Sequence, residues 1–200
     1  MPRISLFGIA GLRHDWAMPS PFVHRIAQPA DIPALKLLMD AAIGELQRGF
    51  LTPEEIEASR FVMGLDTQLV EDGTYFIVES AQSSETRIAG CGGWSRRATL
   101  FGGDHSAGRS DAFLDPARDA ARVRAMYTHP DFARRGIGRM ILELCERAAA
   151  AEGFSRLEMG ATLAGEPLYR ACGYKVIERL DTDTPLAIRV PILRMGKRIS

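Results

Sequence analysis

Six consecutive residues, Arg134-Arg135-Gly136-Ile137-Gly138-Arg139, bring three arginines and two glycines together directly after Pro130-Asp131-Phe132-Ala133. Upstream, Val123, Ala125 and Tyr127 alternate with Arg122, Arg124 and Met126, a strand pattern that ends near Thr128. Downstream, Ile137, Ile141, Leu144 and Ala148 recur at helical spacing. A strand therefore turns into a helix through a glycine- and arginine-rich corner. The first N–H groups of a helix lack intrahelical partners, and its dipole places about half a positive charge there. Glycine lets such a backbone come close to a ligand, so the chemistry expected of this turn is anion binding, phosphate above all. Two nucleotide motifs fail on spacing. A P-loop needs Lys and Ser or Thr after its last glycine, but Arg139 and Met140 follow Gly138. A dinucleotide fingerprint needs a third glycine where Ile141 stands.

The elements that must position this turn read as one α/β domain. Two hundred residues with 46% hydrophobic content are enough to bury a sizeable core, and the length suits one domain better than two. Phe22 to Ala27 is a strand pattern, and Asp31-Ile32-Pro33 opens a helix carrying Leu35, Leu38, Met39, Ala42 and Ile43 on one face. Thr52-Pro53-Glu54-Glu55 is a capping box, which predicts a second helix from Pro53 to about Val62. Thr74 to Ser80 and Arg87 to Trp94 read as an antiparallel hairpin around a polar turn at Gln82 to Thr86. From Arg96 to Ala120 the periodicity dissolves, and a connection of that length is usually functional or disordered. A strand at Arg156 to Gly160, a short helix at Glu166 to Cys172 capped by Gly173, and strands at Tyr174 to Leu180 and Ala187 to Met195 complete the order.

Composition excludes several classes. Twenty-five basic and twenty-five acidic residues give no net charge, so nothing in the global balance calls for nucleic acid or an anionic membrane. Cys91, Cys145 and Cys172 are odd in number, lack CxxC spacing and sit among apolar residues. Buried thiols in a reducing, cytoplasmic compartment are expected from them, with no disulfide framework and no metal site. Near the start, Ile4 to Leu12 is too short and interrupted for a signal peptide or membrane span. Residues 1–21 read as a disordered extension with Met18 as an alternative start, leaving 22–200 as the single domain.

Four segments carry a likeness to a known family. The turn is similar to the motif Gln/Arg-x-x-Gly-x-Gly/Ala, with Ala133 in place of its polar residue. Met126-Tyr127-Thr128-His129-Pro130 is similar to Leu-x-Val-x-Pro, and Leu168-Tyr169-Arg170-Ala171-Cys172-Gly173-Tyr174 to Leu-Tyr-x-x-x-Gly-Phe. Arg156 to Gly160 stands where a fifth strand would follow. These motifs resemble those of the GCN5-related N-acetyltransferase (GNAT) superfamily. The resemblance implies a mixed central sheet of six or seven strands flanked by about four helices, splayed between the fourth and fifth strands. It implies acetyl-CoA as cosubstrate, with pyrophosphate on the backbone of Gly136, Ile137 and Gly138 and added charge from Arg134, Arg135 and Arg139. Amides near Met126, Tyr127 and Thr128 would bind the pantetheine arm and polarise the thioester carbonyl, and Thr162 would hydrogen-bond the coenzyme. Tyr169 inherits the role of general acid to the departing thiolate; its ordinary pKa of about 10 keeps it protonated at neutral pH.

The implied reaction is direct acetyl transfer to a primary amine in a ternary complex, with a small-molecule acceptor favoured over a protein amino group. A base must accept the amine's proton. The glutamate that some family members carry on the fourth strand is missing here, where Arg122 and Arg124 stand, which leaves Glu158, His129, His105 and Asp104 as candidates. By the resemblance, acceptor choice falls to Arg48 to Thr52, Trp94 to Ala120 and Asp181 to Ile192, with Trp94 and Phe101 as pocket aromatics. The rival reading is a non-catalytic acyl-CoA-binding regulatory module of the same fold. The apolar run Ala187 to Met195 is compatible with a homodimer or with the core.

Overall fold

Short β-rich runs become seven strands in the computed structural model, which describes residues 21–80 and 87–199. They are β1 (Phe22–Ile26), β2 (Tyr75–Ser80), β3 (Arg87–Ser95), β4 (Ala121–Thr128), β5 (Arg156–Ala161), β6 (Lys175–Thr182) and β7 (Val190–Arg198). One mixed sheet holds them in the order β1-β2-β3-β4-β5-β7-β6. The expected N-terminal extension, apart from its last residue, and the Gln82 to Thr86 turn lie outside the described residues. Two-residue periodicity gives the sheet two apolar faces. Helix α1 (Ile32–Leu46) lays Leu35, Leu38 and Ile43 over Tyr75, Ile77 and Cys91 on one face. On the other face α4 (Ile137–Ala151), which follows the short helices α2 (Pro53–Ser59) and α3 (Thr67–Glu71), lays Ile137, Ile141 and Cys145 over Val78, Ala89 and Val123. A last short helix, α5, spans Glu166–Ala171.

The sheet forks in the middle. Strands β4 and β5 are parallel and pair only at Ala121↔Leu157 and Arg122↔Glu158, so beyond that point their inner edges diverge. A β-bulge in β4 accompanies the divergence. Ala125 and Met126 stand opposite the single residue Gly92, and Ala125 takes a left-handed φ of 48°. Tyr75 Oη donates to Ala125 O at 2.6 Å and pins the bulged carbonyl. One extra residue reverses which face the following side chains meet. Val123 consequently packs under α4 whereas Tyr127 packs under α1, although their sequence alternation placed them on one face.

Other expectations are corrected by packing. The capping box is formed, with Thr52 Oγ1 accepting from the Glu55 N–H at 3.2 Å, but α2 stops at Ser59 and turns lead on to Met63. Helix α3 was not anticipated, because five residues are too few for a periodic signal. The described residues thus hold five α-helices rather than four. Strand β7 lies between β5 and β6, so both its edges are paired. Val190, Ile192, Leu193 and Met195 from the late apolar run go into the core and not to a partner. The connection over 96–120 has no helix and is tied down by side chains. Arg97 forms a two-pronged ion pair with Asp72 at 2.7 and 2.8 Å, and Thr99 Oγ1 exchanges hydrogen bonds with the Ser110 backbone.

Candidate active site

The start of α4 is built as expected for an anion site. Gly136 precedes the helix with φ of 85°, a left-handed conformation that disfavours any side chain, and no side chain caps the terminus. The first intrahelical bond is Met140 N–H to Gly136 O at 3.0 Å, which leaves the N–H groups of Ile137, Gly138 and Arg139 without helical partners. Gly138 answers a different demand. A Cβ there would stand 2.5 Å from Leu168 Cδ2, so its bare backbone lets α4 begin directly against α5.

A cleft of about 590 Å³ runs from this terminus along the inner edge of β4 to Tyr169. Of the eleven residues expected at the site, ten line it, and Arg135 alone does not. Arg135 instead places its guanidinium over the Phe132 ring at 5.5 Å, and Arg87 sits over the same ring at 5.2 Å. Charge toward the cleft therefore comes from Arg134 and Arg139. Thr162 lines the cleft while its Oγ1 accepts from the Gly165 N–H at 3.2 Å, so it also shapes the turn into α5. Leu46, which no motif singled out, and Phe50, within the Arg48 to Thr52 segment expected to bear on acceptor choice, also line it.

A second, smaller cavity of about 70 Å³ adjoins the cleft at the fork. The two share Met63, Met126, Tyr127, Thr162 and Tyr169. Tyr169 is held by its N–H to Gly165 O at 3.2 Å and by edge-to-face packing on Tyr174, ring centres 6.3 Å apart. Among the described residues its hydroxyl has no hydrogen-bond partner. Burial pushes the phenol pKa up, which keeps the proton on oxygen. The Tyr127 phenol is spent otherwise: it accepts from the Gly64 N–H at 2.9 Å and donates to Gly64 O at 3.3 Å.

The smaller cavity contains a buried cation that sequence reading had noted only as a missing acid. Arg124 Nη1 donates to Thr99 O at 2.9 Å, and Nη2 donates to Gly102 O at 2.7 Å and pairs with Asp66 at 2.7 Å. Burial pulls the Arg124 pKa down and the Asp66 charge opposes that shift. Asp66 was missed. It occupies the N-cap position of α3, where Asp normally signals a helix start, yet it makes no capping bond and takes Arg124 and Arg109 instead.

The candidate bases are all engaged in structure. Glu158 accepts from Arg122 at 2.6 Å and Arg194 at 2.9 Å, at the closed end of the fork. His129 Nδ1 accepts from the Asp131 N–H at 3.2 Å, and Asp104 Oδ1 accepts from the Thr67 N–H at 3.0 Å. His105 Nε2 donates to Arg60 O at 2.9 Å. None of the four lines either cavity, and among the described lining residues there is no carboxylate or imidazole. Of the two suggested pocket aromatics, Phe101 lines the smaller cavity, whereas Trp94 is buried in the core against Phe154, ring centres 6.1 Å apart.

This architecture has many relatives. Residues 71–176, just over half of the chain, match the family model described as acetyltransferase (GNAT) domain. No curated protein matches significantly. Among solved structures, a GCN5-related N-acetyltransferase of Rhodopseudomonas palustris superposes with a TM-score of 0.63 at 18% identity, over 88% of this chain and 95% of its own. The Salmonella typhimurium protein yncA, solved with its cofactor acetyl-CoA, gives 0.58 at 15% identity over 90% and 95%. The paia N-acetyltransferase of Thermoplasma acidophilum, in complex with coenzyme A, gives 0.56 at 13% identity over 88% and 98%. With its forked sheet and glycine-led α4, the chain belongs to the GNAT acetyltransferase family.

Proposed function

We propose that this protein transfers an acetyl group from acetyl-CoA to a small primary amine by direct attack in a ternary complex. One observation carries the reading: Tyr169, with its proton unspent, lines both the long cleft and the smaller cavity. The cleft fits coenzyme A, because an uncapped helix terminus flanked by Arg134 and Arg139 suits a pyrophosphate. The unpaired inner edge of β4 offers backbone groups to an amide-bearing arm. Acetyl-CoA supplies a thioester: the amine nitrogen bonds to its carbonyl carbon, the C–S bond breaks, and the electron pair leaves on sulfur.

The chain's own residues then have defined tasks. Tyr169 donates its proton to the departing sulfur and regains one from solvent. Backbone amides of the Met126–Thr128 segment steady the carbonyl oxygen as it gains charge, an effect typically worth about 3 kcal/mol per donor. With no carboxylate or imidazole among the described residues lining the cavities, the amine attacks in its neutral form and the proton it loses on becoming the amide leaves to water. Direct attack is favoured over a covalent relay, since Cys91 is buried with its pKa pushed up to about 12 and no cysteine lines either cavity. Incubation with acetyl-CoA and a panel of amines, following thiol release and N-acetyl product, tests the reading. A non-catalytic acyl-CoA-binding module would bind coenzyme and release no thiol.

A further inference from the structure

The connection between β3 and β4 places one aromatic ring at the open fork, and a buried ion-pair network holds it there. Phe101 lines the smaller cavity and packs beside Val62 and Ile192. Gly160 on β5 meets this ring with bare backbone, for a Cβ there would stand 2.7 Å from Phe101 Cδ1 and 2.8 Å from its Cβ. The carbonyls of Thr99 and Gly102, one on each side of the ring in sequence, are the two that accept from Arg124. Asp66 joins Arg124 to Arg109, farther along the same loop, with both ion pairs at 2.7 Å. The ring is thereby fixed through both arms of its loop.

Arg124 is also the only charged side chain among the described residues lining this cavity. Its terminal nitrogens reach two carbonyls and a carboxylate, and no carboxylate among the described lining residues is left to pair with a second cation on an acceptor. A second ammonium would enter desolvated beside Arg124 with no carboxylate to meet it, which is strongly unfavourable. The room beside the ring is small, about 70 Å³.

We propose that Phe101 is the wall that sets acceptor size, that Arg124 is its positioning residue, and that the acceptors are small primary amines that carry no second cationic group. This rests on the acetyltransferase reading above. Removing the ring joins its space to the cavity, while coenzyme binding, made at the other end of the cleft, stays as it was.

The test measures kcat/KM for propylamine, 2-phenylethylamine and 1,4-diaminobutane, with coenzyme affinity by calorimetry and melting temperature as controls. The wild type is expected to prefer propylamine and to use the diamine least. Phe101→Ala should raise 2-phenylethylamine relative to propylamine at least about tenfold, mainly through KM, at unchanged coenzyme affinity. Arg124→Lys keeps a charge opposite Asp66 but lacks the planar fork that holds both carbonyls, so it should shift preference in the same direction. Unaltered size preference in Phe101→Ala overturns the wall, and unaltered preference in Arg124→Lys removes Arg124 from the positioning role. A wild type that prefers the diamine overturns the acceptor class. A wild type that releases no thiol with any amine instead removes the acetyltransferase reading itself, and the wall falls with it.

Discussion

Tyr169 lines both cavities with a hydroxyl unpartnered among the described residues, and its chemistry follows from its surroundings rather than from its type. Desolvation raises its pKa, so the acid form persists to higher pH than for an ordinary tyrosine. The sign of the consequence is clear: a group that works protonated and titrates late should not cause kcat to fall as pH passes about 10. Rates on a weakly basic amine across that range would expose any such fall. Tyr169→Phe should lower kcat about 100-fold or more and leave coenzyme affinity intact by calorimetry. Tyr169 was legible because its distance from Gly173 and Tyr174 is fixed by one short helix. Arg134 and Arg135 could not be told apart, since only folding decides which one meets the cleft and which stacks on Phe132.

Elements set where these side chains go, and two of their features are directly testable. Gly136 holds a left-handed conformation ahead of α4. Gly136→Val forces a side chain into it at a cost of about 1–2 kcal/mol. Charged to binding, that cost lowers coenzyme affinity roughly 5- to 30-fold by calorimetry. Asp66 and Arg124 have side chains only 2% exposed and paired at 2.7 Å. Asp66→Asn leaves Arg124 buried without its counter-charge, so urea unfolding should show a loss of about 3–5 kcal/mol. The glycine turn was readable, because local conformation and sequence coincide there. The bulge at Ala125 was not, since the apolar alternation continues through it unbroken and only pairing with β3 reveals the extra residue. Asp66 was hidden for a similar reason: its partners lie 43 and 58 residues away in sequence.

At the scale of the molecule, the order of strands and long helices was evident from periodicity, while the 96–120 connection was opaque because side-chain bonds and not repeats hold it. Equal numbers of acidic and basic residues give no global field to attract an anionic coenzyme. The proposed function makes its attraction local, at Arg134 and Arg139, which line the cleft. Coenzyme affinity should weaken as salt rises from about 0.05 to 0.5 M, and the double variant Arg134→Gln, Arg139→Gln should bind more weakly and lose most of that dependence. The fork, the cleft and Tyr169 converge on one claim, that this chain moves an acetyl group from coenzyme A to a small amine. Thiol release and N-acetylamine formation, measured together with propylamine, test it most directly. The account predicts one thiol per acetylamine, at a rate that collapses in Tyr169→Phe. Tight coenzyme binding with neither product, across the amine series, would contradict it.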